Sequence, residues 1–251
     1  MKAKIFQTVP LLCVLVMTLC VLQNGCHKSK PSSPTPPEPS WHLENPWPTS
    51  NPFVGVWGSS GSDVFVVSGD GPIVRYNGKK WSDIGGGVFF KLNCVWGSSG
   101  SDVYAAGSNS NFLHYDGSSW TQMTAGAEKY IRGIWGSSTK DVFCVGRGGT
   151  ILHYDGTSWT SMNSGTSSWL LALWGSSSSD VFAVGDAGTI LHYNGASWSS
   201  INSGTASCLR AVWGSSNKDI FAVGADGTII HYNGTSWSFM ESGIGYDLHG
   251  V

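Results

Sequence analysis

Apolar and polar residues in this chain fall into short bursts, and the bursts recur. Within residues 169–206, Leu170 to Trp174 is an apolar segment closed by Gly175-Ser176-Ser177, which reads as a turn. Val181-Phe182-Ala183-Val184 follows and stops at Gly185. Gly188 opens Thr189-Ile190-Leu191-His192-Tyr193, and Asn194-Gly195 marks a further turn. Ser197-Trp198-Ser199-Ser200-Ile201 completes the unit before the loop Asn202 to Ala206. Each run is short, rich in β-branched and aromatic residues, and bounded by Gly, Asn, Asp or Ser, with no helical period. The pattern predicts four antiparallel strands.

The unit repeats with a step of 39 residues: Trp57, Trp96, Trp135, Trp174 and Trp213 each begin a Trp-Gly-Ser-Ser tetrapeptide. Trp81, Trp120, Trp159, Trp198 and Trp237 keep the same step, as do Asp63, Asp102, Asp141, Asp180 and Asp219. Four short strands repeated at such a period predict an all-β fold, a β-propeller of four-stranded blades. Large aromatics at fixed blade positions then fill the space between neighbouring sheets. Each buries roughly 150–250 Å², worth at most about 4–6 kcal/mol at ~25 cal/mol per Å². The aspartates follow the Gly-Ser-Ser segment and are expected to accept bonds from its backbone amides.

The stretch His153-Tyr154-Asp155-Gly156-Thr157-Ser158-Trp159 and its relatives resemble the Asp-box of bacterial sialidase-type propellers. The longer unit Val-Gly-x-x-Gly-Thr-Ile-Leu-His-Tyr-Asp-Gly-x-Ser-Trp is similar to repeats of photosystem II assembly-factor propellers and related BNR-like bacterial proteins. The likeness spans residues 52–251. It departs from the Asp-box by one residue fewer between Asp155 and Trp159, and by Asn77, Asn194 and Asn233 in place of the aspartate. In those families the box stabilises a hairpin and is not catalytic, so the resemblance implies a fold rather than an activity.

Five complete blades can be counted, with the start of a sixth. Leu248-His249-Gly250-Val251 matches Leu209-Arg210-Ala211-Val212, and Ser40-Trp41-His42-Leu43-Glu44 resembles a fourth strand. Residues 40–45 are therefore a candidate closing outer strand within a propeller of residues 40–251. The expected ring has at least six blades, so the chain reads as truncated. A five-bladed ring with a vestigial extra strand is the competing reading.

Ahead of the repeats, residues 1–25 read as a secretory signal: Lys2 and Lys4, then an apolar run from Leu11 to Leu22 that is too short to span a membrane. Gly25-Cys26 resembles the lipobox of bacterial lipoproteins, although Gln23 stands where Leu is usual. The resemblance implies acylation of Cys26 and a place in the bacterial cell envelope, periplasmic or at the surface. Residues 26–39, rich in Pro and Ser, form a spacer. From Cys26 onward there are 16 acidic residues against 14 basic ones less Lys2 and Lys4, a net charge of about −4. That leaves no electrostatic footprint for nucleic acid. Cys94, Cys144 and Cys208 occupy different repeat positions without CxxC spacing, which argues against a disulfide framework or a zinc site. They read as free thiols, the first two buried.

Function must lie where the copies differ. The first-to-second and third-to-fourth connections barely change, so that face reads as structural. The opposite face varies: Asp70, Asn109, Asn111, Arg147, Asp186 and Asp226 in the second-to-third loops; Phe89, Phe90, Glu128, Lys129, Trp169 and Tyr246 in the fourth-to-first loops. The position three before the first-strand Trp reads Val54, Asn93, Arg132, Leu171, Arg210 and His249, and is expected to face the central channel. A mixed aromatic and polar rim suits a binding face. His114, His153, His192 and His231 lie on separate blades and cannot converge on a metal. No GxSxG, HExxH or phosphate-loop motif occurs. These features favour a lipid-anchored, non-catalytic binding or assembly scaffold with no cofactor and a protein or glycan ligand. A carbohydrate-binding lectin is the alternative. A sialidase-type glycosidase is weaker, because Arg75, Arg132, Arg147 and Arg210 stand at unequal blade positions.

Overall fold

The computed structural model describes residues 52–69, 72–85, 91–108, 111–126 and 130–251. The predicted signal, Cys26, the spacer and residues 40–45 lie outside them. Blade 1 holds β1 (Phe53–Ser60), β2 (Asp63–Ser68), β3 (Ile73–Tyr76) and β4 (Trp81–Asp83). Blade 2 holds β5 (Leu92–Ser99), β6 (Asp102–Gly107), β7 (Asn111–Tyr115) and β8 (Trp120–Thr124). Blade 3 holds β9 (Ile131–Ser138), β10 (Asp141–Gly146), β11 (Ile151–Tyr154) and β12 (Trp159–Met162). Blade 4 holds β13 (Leu170–Ser177), β14 (Asp180–Gly185), β15 (Ile190–Tyr193) and β16 (Trp198–Ile201). Blade 5 holds β17 (Leu209–Ser216), β18 (Asp219–Gly224), β19 (Ile229–Tyr232) and β20 (Trp237–Met240). Each blade is an antiparallel meander in chain order. The first strands pack side by side, β1 on β5, β5 on β9, β9 on β13 and β13 on β17, and so form the inner layer.

Gly-Ser-Ser is not the turn. Those residues continue the first strand, Ser177 pairs with Asp180, and the chain reverses at Ser178-Ser179. The recurrent aspartates also differ from expectation. Their carboxylates take a serine hydroxyl from the first strand and a ring nitrogen from the third. Asp141 accepts from Ser137 Oγ at 2.5 Å and meets His153 Nε2 at 2.7 Å; Asp180 does the same with Ser176 and His192. Because Gly-Ser-Ser runs on as strand, with Gly175 opposite Val181 and Ser177 opposite Asp180, the carboxylate meets the serine hydroxyl rather than the amides of a turn. Each histidine then stacks on the second-strand aromatic, at 4.4 Å for Phe143 and His153. The motif ties three strands of a blade together. In blade 1, Arg75 replaces the histidine, its Nε 2.6 Å from Asp63 and its guanidinium 4.8 Å from the Phe65 ring.

The core lies between blades rather than within one. One buried cluster joins Phe143, Val145 and Ile151 of blade 3 to Leu173, Val181, Ala183, Leu191 and Trp198 of blade 4. Phe143 meets Tyr193 at 5.5 Å and Trp198 at 6.1 Å. The first-strand tryptophans reach the same joint and explain their glycine neighbours. A Cβ on Gly175 would lie 2.6 Å from the Trp135 ring, and one on Gly136 would lie 2.6 Å from Trp96. The indoles of Trp57, Trp96, Trp135 and Trp174 are therefore each seated on the glycine of the next blade. The indole N–H groups of Trp120, Trp159, Trp198 and Trp237 are buried without a hydrogen-bond partner. The aromatic area outweighs that cost of about 1–3 kcal/mol each.

The third-to-fourth connections are Asx turns. Asp155 Oδ1 accepts from the amides of Thr157 and Ser158, and Asn194 Oδ1 from those of Ala196 and Ser197. Asparagine serves as well as aspartate because only the acceptor oxygen is used. The Ser119 amide, with the Ser118 hydroxyl and amide, lowers the Asp116 pKa to about 2. The Ser158 and Thr157 amides lower that of Asp155.

Two outcomes follow from this packing. Gly175→Ala displaces Trp135 and is expected to cost about 2–4 kcal/mol, read by chemical denaturation. Gly58→Ala should cost distinctly less, since the nearest atoms to a Cβ there belong to its own blade. The second outcome concerns acid. A carboxyl with a lowered folded pKa stabilises the fold above its ordinary value near ~3.9 and loses that contribution as pH falls toward the folded value. Stability should thus decline between about pH 4 and the Asp116 value of about 2. Asp116→Asn with Asp155→Asn should flatten that acid limb in a pH series of thermal melts while keeping the turns.

Candidate functional site

The second-to-third and fourth-to-first connections share one face, and the backbone couples them tightly. The second-to-third loops contain single turns at Arg147–Gly149, Asp186–Gly188 and Ala225–Gly227. The Gly149 amide donates to Ser168 O at 2.7 Å, and the Asp186 amide to Trp169 O at 2.9 Å. Gly188 has φ +66°, and a Cβ on it would collide with Thr205 O. Ala187 and Asp226 sit at φ 53° and 54°, a left-handed conformation that L residues adopt at a cost. These loops are held in place by the sheets beneath them.

Register shifts shape the inner layer. In β5, Leu92 pairs with Gly107 and Cys94 with Ala106, leaving Asn93 as the extra residue of a bulge. The same shift makes Val54, Arg132, Leu171 and Arg210 the bulged residues of their blades. A bulge re-aims its side chain and disrupts the local ladder. The variable position that the sequence singles out is thus a bulge on the innermost strand, a geometry that its spacing alone does not reveal. Its occupants do different things. Asn93 Nδ2 donates to Ile131 O on the next inner strand at 2.8 Å. Arg210 Nη2 pairs with Asp247 Oδ2 at 2.6 Å, and Asp247 Oδ1 accepts from the Asp226 amide. Arg132 is exposed and makes no ion pair among the described residues.

Between blades 3 and 4 the loops build an aromatic and cationic cluster. The Arg147 guanidinium lies 5.4 Å from the Trp169 ring, and the Tyr130 ring lies 5.9 Å from that indole. Trp169 keeps 37% of its surface exposed. One blade on, Cys208 donates its thiol to Asp186 at 3.2 Å. Burial, then the Asp186 hydrogen bond and charge, raises the Cys208 pKa to about 11. Burial raises that of Cys94 to about 12 and that of Cys144 well above the ordinary value. Cys94 and Cys144 are buried, as expected, and none of the three is activated as a nucleophile.

The site residues are therefore only partly brought together. Arg147 and Trp169 converge, Asp186 pairs with Cys208, and Asp226 joins Arg210 through Asp247. Tyr246 and His249 are exposed, and Leu248 donates its amide to Gly224 O from an irregular segment. Asn111 opens β7 by its backbone. Asp70, Phe89, Phe90, Asn109, Glu128 and Lys129 lie outside the described residues. Tyr130 and Asp247, which the sequence reading passed over, complete two of the clusters. The loop variation that picked out Trp169 and Arg210 would also have found them. Seryl, histidyl and aspartyl side chains do meet on the opposite face, but there the aspartate stands between the other two. Among the described residues, each of these histidine rings is bonded to the aspartate and not to the serine hydroxyl, as a nucleophilic triad would require. Among the described residues, no three potential metal ligands cluster.

No family model and no curated protein matches the sequence. Solved structures do match. YCF48 bound to D1 peptide aligns with a TM-score of 0.59 at 14% identity, covering 74% of this chain and 66% of that one. YCF48 from Cyanidioschyzon merolae gives 0.60 at 14%, covering 76% and 73%. The WD40 repeats of RRP9 give 0.65 at 11%, covering 79% and 68%. The fold is a β-propeller. The chain spans about two thirds of the length of the YCF48 chain in the peptide complex. At these identities the propeller likeness concerns the fold alone.

A cation–π contact at an exposed site contributes about 0.5–1 kcal/mol. A double-mutant cycle of Arg147→Ala and Trp169→Ala, read by denaturant unfolding, is expected to give coupling in that range. Each single variant should remain folded, because both side chains lie on the rim.

Proposed function

We propose that the protein is a non-catalytic propeller scaffold that binds a protein or peptide through its loop face. We place it outside the cytoplasm, tethered by an acylated Cys26 and its Pro/Ser spacer. The observation that carries the binding role is the Arg147–Trp169–Tyr130 cluster, a cation and two aromatics presented on rigid turns. The other face is occupied by repeated turns whose Asp and Asn side chains are paired within their own blades. A similar fold, YCF48, has been solved bound to a D1 peptide, which supports a peptide as ligand for this architecture. The raised thiol pKa values and the order of the Ser–Asp–His contacts support a role without covalent catalysis.

A lectin is the second reading. Trp169 and Tyr130 offer ring faces on which a sugar stacks, with Arg147 beside them as a donor.

Two experiments test these readings. A photo-reactive phenylalanine analogue installed in place of Ser167, an exposed residue beside the cluster, in intact cells, is expected to capture a protein partner. The adduct should be lost with Trp169→Ala, and the same analogue in place of Thr157 on the opposite face should capture nothing. Equal capture from both faces would discard the loop-face assignment, and glycan-array binding abolished by Trp169→Ala would favour the lectin. Metabolic labelling with an azido fatty acid should mark the wild type and not Cys26→Ala. Equal labelling of the two would remove the anchor.

A further inference from the structure

The loops joining successive blades repeat one wall, and blade 5 shows what can sit against it. After β12, Ser164 Oγ donates to Thr166 O at 3.2 Å, the Thr166 amide donates back to Ser164 Oγ, and Thr166 Oγ1 accepts from the Ser168 amide. After β16, Ser203, Thr205 and Ser207 make the same three bonds. The glycines within the two walls match, Gly165 at φ +71° and Gly204 at φ +77°. The floors match as well. Leu191 and Trp198 are buried beside the first wall, Ile230 and Trp237 beside the second.

The two walls differ in what faces them. On β20, Phe239 lies two residues beyond Trp237 and so shares its face of the strand. A Cβ on Gly204 would stand 3.6 Å from Phe239 Cε2, so the ring lies over that glycine. On β16 the corresponding residue is the exposed Ser200, and a Cβ on Gly165 would have nothing within 4 Å. The space left is a groove of about 290 Å³ between the Ser164–Thr166 wall and Leu191, Trp198 and Ser200 of blade 4. Small-molecule pockets run from roughly 300 to 1,000 Å³, so this groove suits one side chain rather than a whole ligand. No lining residue is charged, and the two hydroxyl oxygens of the wall already bond its own backbone. The groove therefore complements a neutral ring, and Phe239 is the example that the chain itself provides.

The strand beside the groove is open. β16 is the outer strand of its sheet and pairs with β15 alone, in unbroken register from Tyr193 opposite Trp198 to Ile190 opposite Ile201. It carries no charge, proline or bulge of the kind that turns another strand away. A strand added along β16 would place the side chain opposite Ser200 on the face that Ser200 occupies, over Gly165.

We infer that the rim groove between blades 3 and 4 binds an extended peptide, seated as a fifth strand on β16 with one aromatic side chain over Gly165. The mode is strand addition, in which main-chain bonds supply affinity and the seated ring supplies selectivity. The loop that carries Gly165 also carries Trp169, so the groove continues the proposed loop face outward. Only the partner's being a protein rests on that reading, and the groove is tested without it.

The test titrates the isotope-labelled full chain, carrying Cys26→Ala to keep it unacylated, with a blocked pentapeptide by NMR. The peptide has a central phenylalanine flanked by threonine and serine; its control has alanine at the centre. The phenylalanine peptide should move the Gly165 and Ser200 amides and the Trp198 indole N–H, and the control should bind at least ~10-fold more weakly. Ser200→Phe, which copies blade 5, should keep the thermal midpoint and abolish these shifts. Phe239→Ser, which copies blade 4, should open a second site reported by the Gly204 amide. Absence of a Gly165 shift at millimolar peptide overturns the inference, as does equal binding of the control. Shifts that survive Ser200→Phe, or a Phe239→Ser variant that gains no second site, overturn it too. In-cell capture and its loss with Trp169→Ala decide the loop-face reading separately.

Discussion

The seating of each first-strand tryptophan on the glycine of the next blade is the contact on which this molecule depends. A four-stranded meander has two apolar faces and cannot bury either alone. Here the facing sheets of successive blades close one another, and the Trp–Gly seat brings the inner strands close enough for Phe143, Tyr193 and Trp198 to meet. Glycine is required because a Cβ would occupy the indole's position. The dipeptide Trp-Gly is thus one half of two different joints, which is why it recurs unaltered while the loops drift.

The second element of order is the Ser–Asp–His tie. It fixes the relative slide of the first three strands at the end of the sheet remote from the variable loops. Burial opposes ionisation of Asp63, but the Arg75 hydrogen bond and charge, together with the Ser59 hydroxyl, hold its carboxyl below the ordinary value. The Ser215 hydroxyl and then His231 do the same for Asp219. With one end of each blade pinned by these side chains, the other end can carry varied loops without loss of register. That division of labour is what leaves Arg147, Trp169 and Arg210 available for a surface role.

Much of this was legible in the sequence because it is periodic. Strand positions, blade count and the structural role of both tryptophan series follow from residues that recur at one step. The structure adds what spacing cannot express. Gly-Ser-Ser looks like a turn by composition, yet it runs on as strand, with Ser177 opposite Asp180 and the reversal delayed to Ser178-Ser179. The bulges at Asn93, Arg132 and Arg210 are register events, invisible in a pattern of apolar residues. The convergence of Arg147 with Trp169 was only half legible: variation marked both residues, but their meeting depends on two loops joined through the Gly149 amide and Ser168 O.

Blade 1 shows what the third-strand position demands. Four copies place histidine there, a residue type that invites thoughts of metal binding or proton transfer. Arg75 does the same work with a different side chain, donating to Asp63 at 2.6 Å and placing its guanidinium over the Phe65 ring, as His153 places its ring over Phe143. Guanidinium neither ligates a metal nor gives up a proton at ordinary pH. What the two share is a planar group with an N–H on its edge. The repeat therefore selects for shape and a donor, and the row of histidines is part of the blade's internal bracing. Whatever this protein binds, it must recognise it with the residues that the repeat does not fix.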